Sequence, residues 1–229
     1  AGLPPGVPLV RWWVGSDVLA LRDGRTRPHS RDERLHWAGS SGLARELAAL
    51  GVPARVLPIL PHWEPSPLPR SDEPVVLAYC RAGREALYRW ADLRAVAARC
   101  PDVRFRVFRF FAGGLPPNLT CVPDWVPHAQ MRGEYARARA VLRLVEHDGT
   151  SLSILEALTF GRHALWSQPY PCCRKVHTAD EAVAALRVVL EADINREGVE
   201  HVRALRGETD TRMGQFVEDA ARAPGLRRP

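Results

Sequence analysis

The sequence predicts an α/β protein built on parallel strands, and three observations carry that reading. From Val75 onward, short apolar runs bounded by turn formers alternate with stretches of helical periodicity. The intervals leave room for a crossover helix between successive strands, which dictates parallel pairing and right-handed connections. A chain of 229 residues, 46% of them hydrophobic, supplies one full core and part of a second. On this basis 75–205 reads as a Rossmann-like domain, 1–58 as a reduced α/β unit, 59–74 as a Pro-rich linker and 206–229 as a C-terminal helix and tail.

In order along the chain, 8–14 (PLVRWWV) is a strand candidate closed by Gly15, Ser16 and Asp17. A short strand is expected around 35–38. Over 40–51, Leu43, Leu47 and Leu50 recur at helical spacing between Ser40 and Gly51, which are start and stop residues. Residues 54–58 form a further short strand. The 53–74 stretch carries Pro at 53, 58, 61, 65, 67, 69 and 74, and proline excludes both a helix and a central strand there. Next come a strand at 75–80 and a helix at 84–99 with Leu87, Trp90, Ala91, Leu93 and Val96 inward. Strands follow at 103–111 and 119–122, a helix near 128–139, and a strand at 140–145. The remainder reads as a helix at 150–160, a strand at 163–167, and helices at about 178–192 and 195–221. There are no internal repeats.

The formal charge is +6 and the pI about 9.5. The cations are almost all Arg, with Lys175 the only Lys, and they are interleaved with Asp and Glu, which describes a solvated basic surface rather than a polynucleotide groove. Nucleic acid is therefore not the expected partner. The five Cys (80, 100, 121, 172 and 173) lack C-x-x-C spacing and zinc-type His spacing, so they read as free thiols of a reducing compartment. Cys172 and Cys173, near Lys175 and His177, are one candidate reactive pair. No apolar run is long enough to cross a bilayer and AGLPPGVPLV is unlike a signal peptide, so the expected location is cytoplasmic.

Chemistry concentrates at 146–156. In a parallel sheet, ligands bind at the carboxyl ends of the strands, where helix N-termini offer free amides. Strand 140–145 runs into Glu146-His147-Asp148-Gly149-Thr150-Ser151, and the amides of Gly149, Thr150 and Ser151 suit a diphosphate. The glycine would allow close backbone approach. Glu156 interrupts the apolar set Leu152, Ile154, Leu155, Ala157, Leu158 and Phe160; a carboxylate there suits a ribose diol, as in dinucleotide sites. Plainer readings are an N-cap for Asp148 and an exposed helix edge for Glu156.

Asp148-Gly149, Leu155-Glu156-Ala157-Leu158 and Gly161-Arg162 before the strand HALWS together resemble the donor-binding segment of GT-B-type glycosyltransferases, the retaining class and family 4 in particular. The stretch Tyr79-Cys80-Arg81-Ala82-Gly83-Arg84 is similar to the family's strand and basic residues that hold the donor pyrophosphate. Pro117-Asn118 through Trp125-Val126-Pro127 resembles the segment near the base, and 9–17 with 34–58 the closing part of the N-terminal domain.

The resemblance implies binding of a nucleotide-diphosphate sugar and, in an active protein, transfer with retention, without a metal or other cofactor. It casts Asp148 as the catalytic-site acid that holds the donor sugar and Glu156 as the ribose acceptor. Arg81, Arg84, Gly149, Thr150 and Ser151 fall to the diphosphate. Trp125 either borders the base or is plain core, and Gly15, Ser16 and Asp17 either face the acceptor or merely end a strand. The sequence departs from the family in having Asp148 where Glu is commoner and Arg where a Lys usually meets phosphate. About 100 residues of a typical N-terminal domain have no counterpart here. Either the chain is a shortened relative, or a protein partner or a second copy of the chain completes the cleft. Glycoside hydrolysis fits less well, because Asp148 and Glu156 would lie about 12 Å apart along an ideal helix rise, beyond the roughly 5 to 9.5 Å of glycosidase pairs. Two further readings are a non-catalytic nucleotide-sugar module and an Arg-rich nucleic-acid binder that stacks bases on Trp12, Trp13 and Trp37.

Overall fold

The computed structural model describes residues 9–223, so the first residues of the expected N-terminal unit and the last six of the expected tail lie outside the described residues. The chain divides into two compact units. One comprises residues 1–60, 147–151 and 205–229; the other comprises 61–146 and 152–204.

The larger unit is the Rossmann-like domain that the alternation predicts. Its strands are β4 (Val75–Tyr79), β5 (Arg104–Phe108), β6 (Leu119–Val122), β7 (Ala138–Arg143), β8 (His163–Trp166) and β9 (Arg174–Lys175). They form one sheet in the order β6-β5-β4-β7-β8-β9, with every pair parallel. The order reverses between β4 and β7, and the carboxyl ends of those two strands form the switch point where such sheets bind ligands. Val76, Phe105, Val107, Ala140 and Leu165 are fully buried against α3 (Trp90–Arg99) and α6 (Ala179–Val189). Helices α4 (His128–Arg137) and α5 (Leu152–Thr159) flank β7 in sequence.

The smaller unit has three parallel strands, β1 (Arg11–Trp13), β2 (His36–Ala38) and β3 (Arg55–Val56), in that order. Its helices are α1 (Ser16–Arg22) and α2 (Ser41–Ala49), and Ser40 caps α2 by accepting from the Leu43 amide at 3.2 Å. Trp13, Val18, Ala38, Leu43 and Leu47 make its core. Helix α7 (Arg196–Ala221) contributes to the larger unit up to Ala204 and to the smaller one from Leu205, where Ala220 packs with Leu35. That division replaces a separate C-terminal element starting at 206.

Several expectations change. The helix expected from Arg84 starts at Trp90, because Arg89 adopts a left-handed conformation (φ 47°) and the preceding turn gives the Leu87 carbonyl to the Glu146 amide at 2.9 Å. Ala91, expected inward, is exposed. Gly15-Ser16-Asp17 does not merely end a strand: it opens α1, and the Asp17 carboxylate accepts from the amides of Val14, Gly15 and Val18 at 2.8–3.2 Å. The two-residue β9 carries no apolar pattern, and both of its residues are exposed.

From Pro61 on, the Pro-rich stretch lies within the larger unit rather than between two bodies. The amides of Ser66 and Leu68 donate to Thr159 and Phe160 carbonyls at 3.0 and 3.1 Å, and Leu68 is buried. Trp13 and Trp37 are 0% and 7% exposed, which withdraws both rings from base stacking, and the partly buried Trp12 donates its indole N–H to the Leu57 carbonyl at 2.8 Å.

Candidate functional site

In the smaller unit, the turn His147–Ser151 packs on the carboxyl ends of β1 and β2. Gly149 is buried because a Cβ there would meet the Val14 carbonyl oxygen at 2.3 Å and Leu43 Cδ1 at 2.6 Å. The close approach predicted at this glycine is thus made by the protein's own backbone. The Gly149 amide donates to Asp148 Oδ1 at 3.1 Å. The Thr150 hydroxyl donates to the Gly39 carbonyl, and Ser151 is buried. His147 Nε2 lies 2.9 Å from Glu46 Oε2. Helix α5 begins at Leu152, so Asp148 does not occupy its N-cap position. Gly15 and Gly149 are brought together, since an added Cβ on Gly15 would lie 3.6 Å from the Gly149 nitrogen.

In the larger unit, Arg81 and Arg84 stand exposed on the turn leaving β4, which Gly83 enters at φ +74° and the Arg84 amide closes onto the Arg81 carbonyl at 3.0 Å. At the carboxyl end of β7, the Arg143 guanidinium lies 5.9 Å from the Tyr79 ring and 5.6 Å from the Tyr88 ring, which adds a cation to the switch point. Trp125 is not core: it is 67% exposed, with the Arg109 guanidinium 5.0 Å from its ring.

Glu156 is not an exposed helix edge. Its side chain is 13% exposed, and the Tyr135 hydroxyl donates to its Oε2 at 2.6 Å. His128 Nε2 lies 3.4 Å from Oε1. The Trp63 indole stacks on the His128 ring at 3.7 Å and 10° between planes, and Phe160 packs against Trp63 and Tyr135. Burial pushes the Glu156 carboxyl above its ordinary value, against the opposing hydrogen bonds from Tyr135 and His128. Burial also pushes the Tyr135 phenol well up, and the Glu156 charge adds to it. The Tyr135 hydroxyl therefore acts as a hydrogen-bond donor to a desolvated carboxyl group.

None of Tyr135, His128 and Trp63 was expected. His128 and Tyr135 are two helical turns apart on α4 and so share a face, a signal the sequence did contain. Trp63 sits among prolines and gave no local sign.

Burial raises both the Cys172 and the Cys173 thiol, Cys173 to about 12, which works against a reactive thiolate at this pair. Among the described residues there is no cluster of three or more His, Cys, Asp or Glu suited to a metal ion, and no helix is long and apolar enough to cross a membrane.

No protein-family model matches the sequence, and no curated protein does. Solved structures do. Sucrose-phosphate synthase from Thermosynechococcus elongatus matches with a TM-score of 0.66 at 16% identity, over 80% of this chain and 57% of its own. A mutant of S. aureus TarM, in complex with Fondaparinux, α-GlcNAc-glycerol and UDP, matches with a TM-score of 0.62 at 13% identity, over 79% and 43%. A trehalose-6-phosphate synthase studied for glycosyl transfer with retention matches at 0.59 and 12%, over 82% and 61%. The chain spans 43–61% of the length of these three structures. Over that span it has the GT-B-type fold of these glycosyltransferases.

Proposed function

We propose that the chain is a glycosyltransferase-like protein that binds a nucleotide-diphosphate sugar and transfers the sugar with retention. The observation that carries the reading is Glu156: a largely buried carboxylate kept in a mostly apolar helix, in this fold, and aimed by a buried tyrosine and a half-exposed histidine. A buried acid without a task is costly, and a ribose diol is the ligand it suits. Tyr135 occupies Oε2, which leaves Oε1, on the His128 side, to accept a ribose hydroxyl.

Arg81 and Arg84 hold the diphosphate from the turn after β4, and their planar guanidiniums grip two oxygens at once. Negative charge grows on the departing diphosphate as the glycosidic bond breaks, so cations placed there stabilise the transition state more than the ground state. Asp148 holds hydroxyls of the donor sugar. The support lies in the fold and in the Asp148-x7-Glu156 interval, together with the bound UDP and the retaining transfer named for the similar proteins.

Calorimetry against a panel of nucleotide diphosphates and their sugars, with a product assay alongside, tests this. We expect one-site binding that weakens at least about tenfold in Glu156→Gln, the scale of a charge-assisted hydrogen bond. Absence of nucleotide binding, or binding indifferent to that substitution, would overturn the reading.

A further inference from the structure

A second cationic site lies at the opposite edge of the larger sheet. Arg70, Arg139 and Arg162 line one shallow, half-open surface cleft, together with Gly161, His163 and Ile194. Arg139 is near the start of β7 and Arg162 immediately precedes β8, so the pocket is at the amino ends of these strands. The six residues of β7 separate it from the switch point by about 20 Å.

The three guanidiniums are fixed by carbonyl groups. Arg70 donates from Nε to Ala192 at 3.1 Å and from Nη2 to Leu190 at 3.3 Å. Arg139 donates from Nε to Ser71 at 2.7 Å and from Nη1 to Leu190. Capping the end of α6 explains these two arginines in part, because a helix C-terminus attracts cations. It does not explain Arg162. That side chain is 1% exposed and donates from Nη2 to the Pro69 carbonyl at 2.7 Å, and its Nε is buried with no partner.

Among the described residues no carboxylate forms an ion pair with any of the three. The acid of the pocket wall, Asp193, is exposed, and its backbone carbonyl accepts from His163 Nε2 at 2.6 Å. The local balance is three cations to one rim carboxylate, and a buried guanidinium with only carbonyl partners is desolvated without being neutralised. Burial accordingly pushes the Arg162 guanidinium below its usual range. Arg162 Nε is thus a buried donor without a partner, and the Arg70 and Arg139 side chains line the same cleft.

We propose that this pocket binds a small tetrahedral oxyanion: phosphate, or the phosphoryl group of a small metabolite. Such an anion matches guanidinium N–H groups one oxygen at a time and supplies the missing negative charge. The site is independent of the nucleotide-sugar reading.

The full chain, labelled for amide NMR, is titrated with inorganic phosphate at constant ionic strength, and the titration is repeated by calorimetry. We expect saturable one-site binding with shifts at Gly161, Arg162, His163 and Ile194. Arg70→Gln should weaken it about tenfold, the loss of one charge-assisted hydrogen bond. Arg139→Gln should do the same and serves as the second variant where Arg70→Gln unfolds. Glucose 1-phosphate binding more tightly than inorganic phosphate identifies a phosphorylated metabolite as the source; the reverse identifies free phosphate. Shifts that spread without saturation, or that gather at Arg81–Arg84 instead, overturn the proposal, as does equal affinity in a folded arginine variant. Failure here leaves nucleotide binding untouched, because the two sites report through different amides.

Discussion

The turn His147–Ser151 and the helix α5 are adjacent in sequence, yet different physics holds each of their acids. In the smaller unit, Asp148 is placed by a backbone that has no slack, with Gly149 beneath the Val14 carbonyl and Thr150 tied to the Gly39 carbonyl. In the larger unit, Glu156 is placed by side chains, with Tyr135 on one oxygen and His128 near the other. The comparison teaches that one acid-x7-acid interval can join a sterically defined position to an electrostatically defined one. The first should respond to volume, and the second to charge and pH.

Gly149→Ala is the sharpest way to break the first half of that contrast. Its Cβ would fall 2.3 Å from the Val14 carbonyl oxygen and 2.8 Å from the Val14 carbonyl carbon, both backbone atoms that cannot turn aside as a side chain can. Overpacking of this kind costs about 3 kcal/mol. Urea denaturation should show that loss with the same magnitude at acidic and neutral pH. A change near zero would mean that the turn is not seated as described.

The same substitution shows what the sequence could and could not disclose. Strands β4, β5, β7 and β8 and helices α2, α6 and α7 were legible because apolar periodicity is a local property that burial then satisfies. Asp148, Gly149 and Glu156 stood out by type and spacing. That Val14 closes on Gly149, and that Tyr135 and Trp63 enclose Glu156, are tertiary facts that join residues 21 to 135 positions apart. Local pattern carries no trace of them. The start of α3 was misread for a related reason: 84–89 has helical composition, but its Leu87 carbonyl is taken by the Glu146 amide and a left-handed Arg89 interrupts it.

Tyr135→Phe tests the other half. It removes the hydroxyl that donates to a carboxylate shielded from water, and a hydrogen bond to a charged group contributes roughly 2 kcal/mol. Unlike the glycine substitution, this loss should depend on pH. Tyr135 holds the Glu156 carboxyl down against burial, so without it the acid takes up a proton more readily. The destabilisation should be full at neutral pH and shrink as acid protonates Glu156. Denaturation midpoints for both proteins across that range provide the check, and a penalty constant with pH would assign Tyr135 a packing role only.

Glu156→Gln should change stability least at any one pH and yet alter its pH dependence most clearly. Burial raises the folded-state pKa of Glu156 above its unfolded value, so between the two values the folded protein binds more protons than the unfolded chain. This contribution to stability is present in full below the unfolded value and is lost as pH rises through the folded one. Glutamine keeps an acceptor for the Tyr135 hydroxyl, carries no charge and does not titrate. The variant should therefore match the wild type within about 1 kcal/mol at neutral pH, because relief of the desolvated charge offsets the weaker hydrogen bond. Its stability profile should be flatter just above the ordinary carboxylate range. Parallel profiles for the two proteins would show that Glu156 is as well solvated when folded as when unfolded, and the contrast with Asp148 would then reduce to sterics alone.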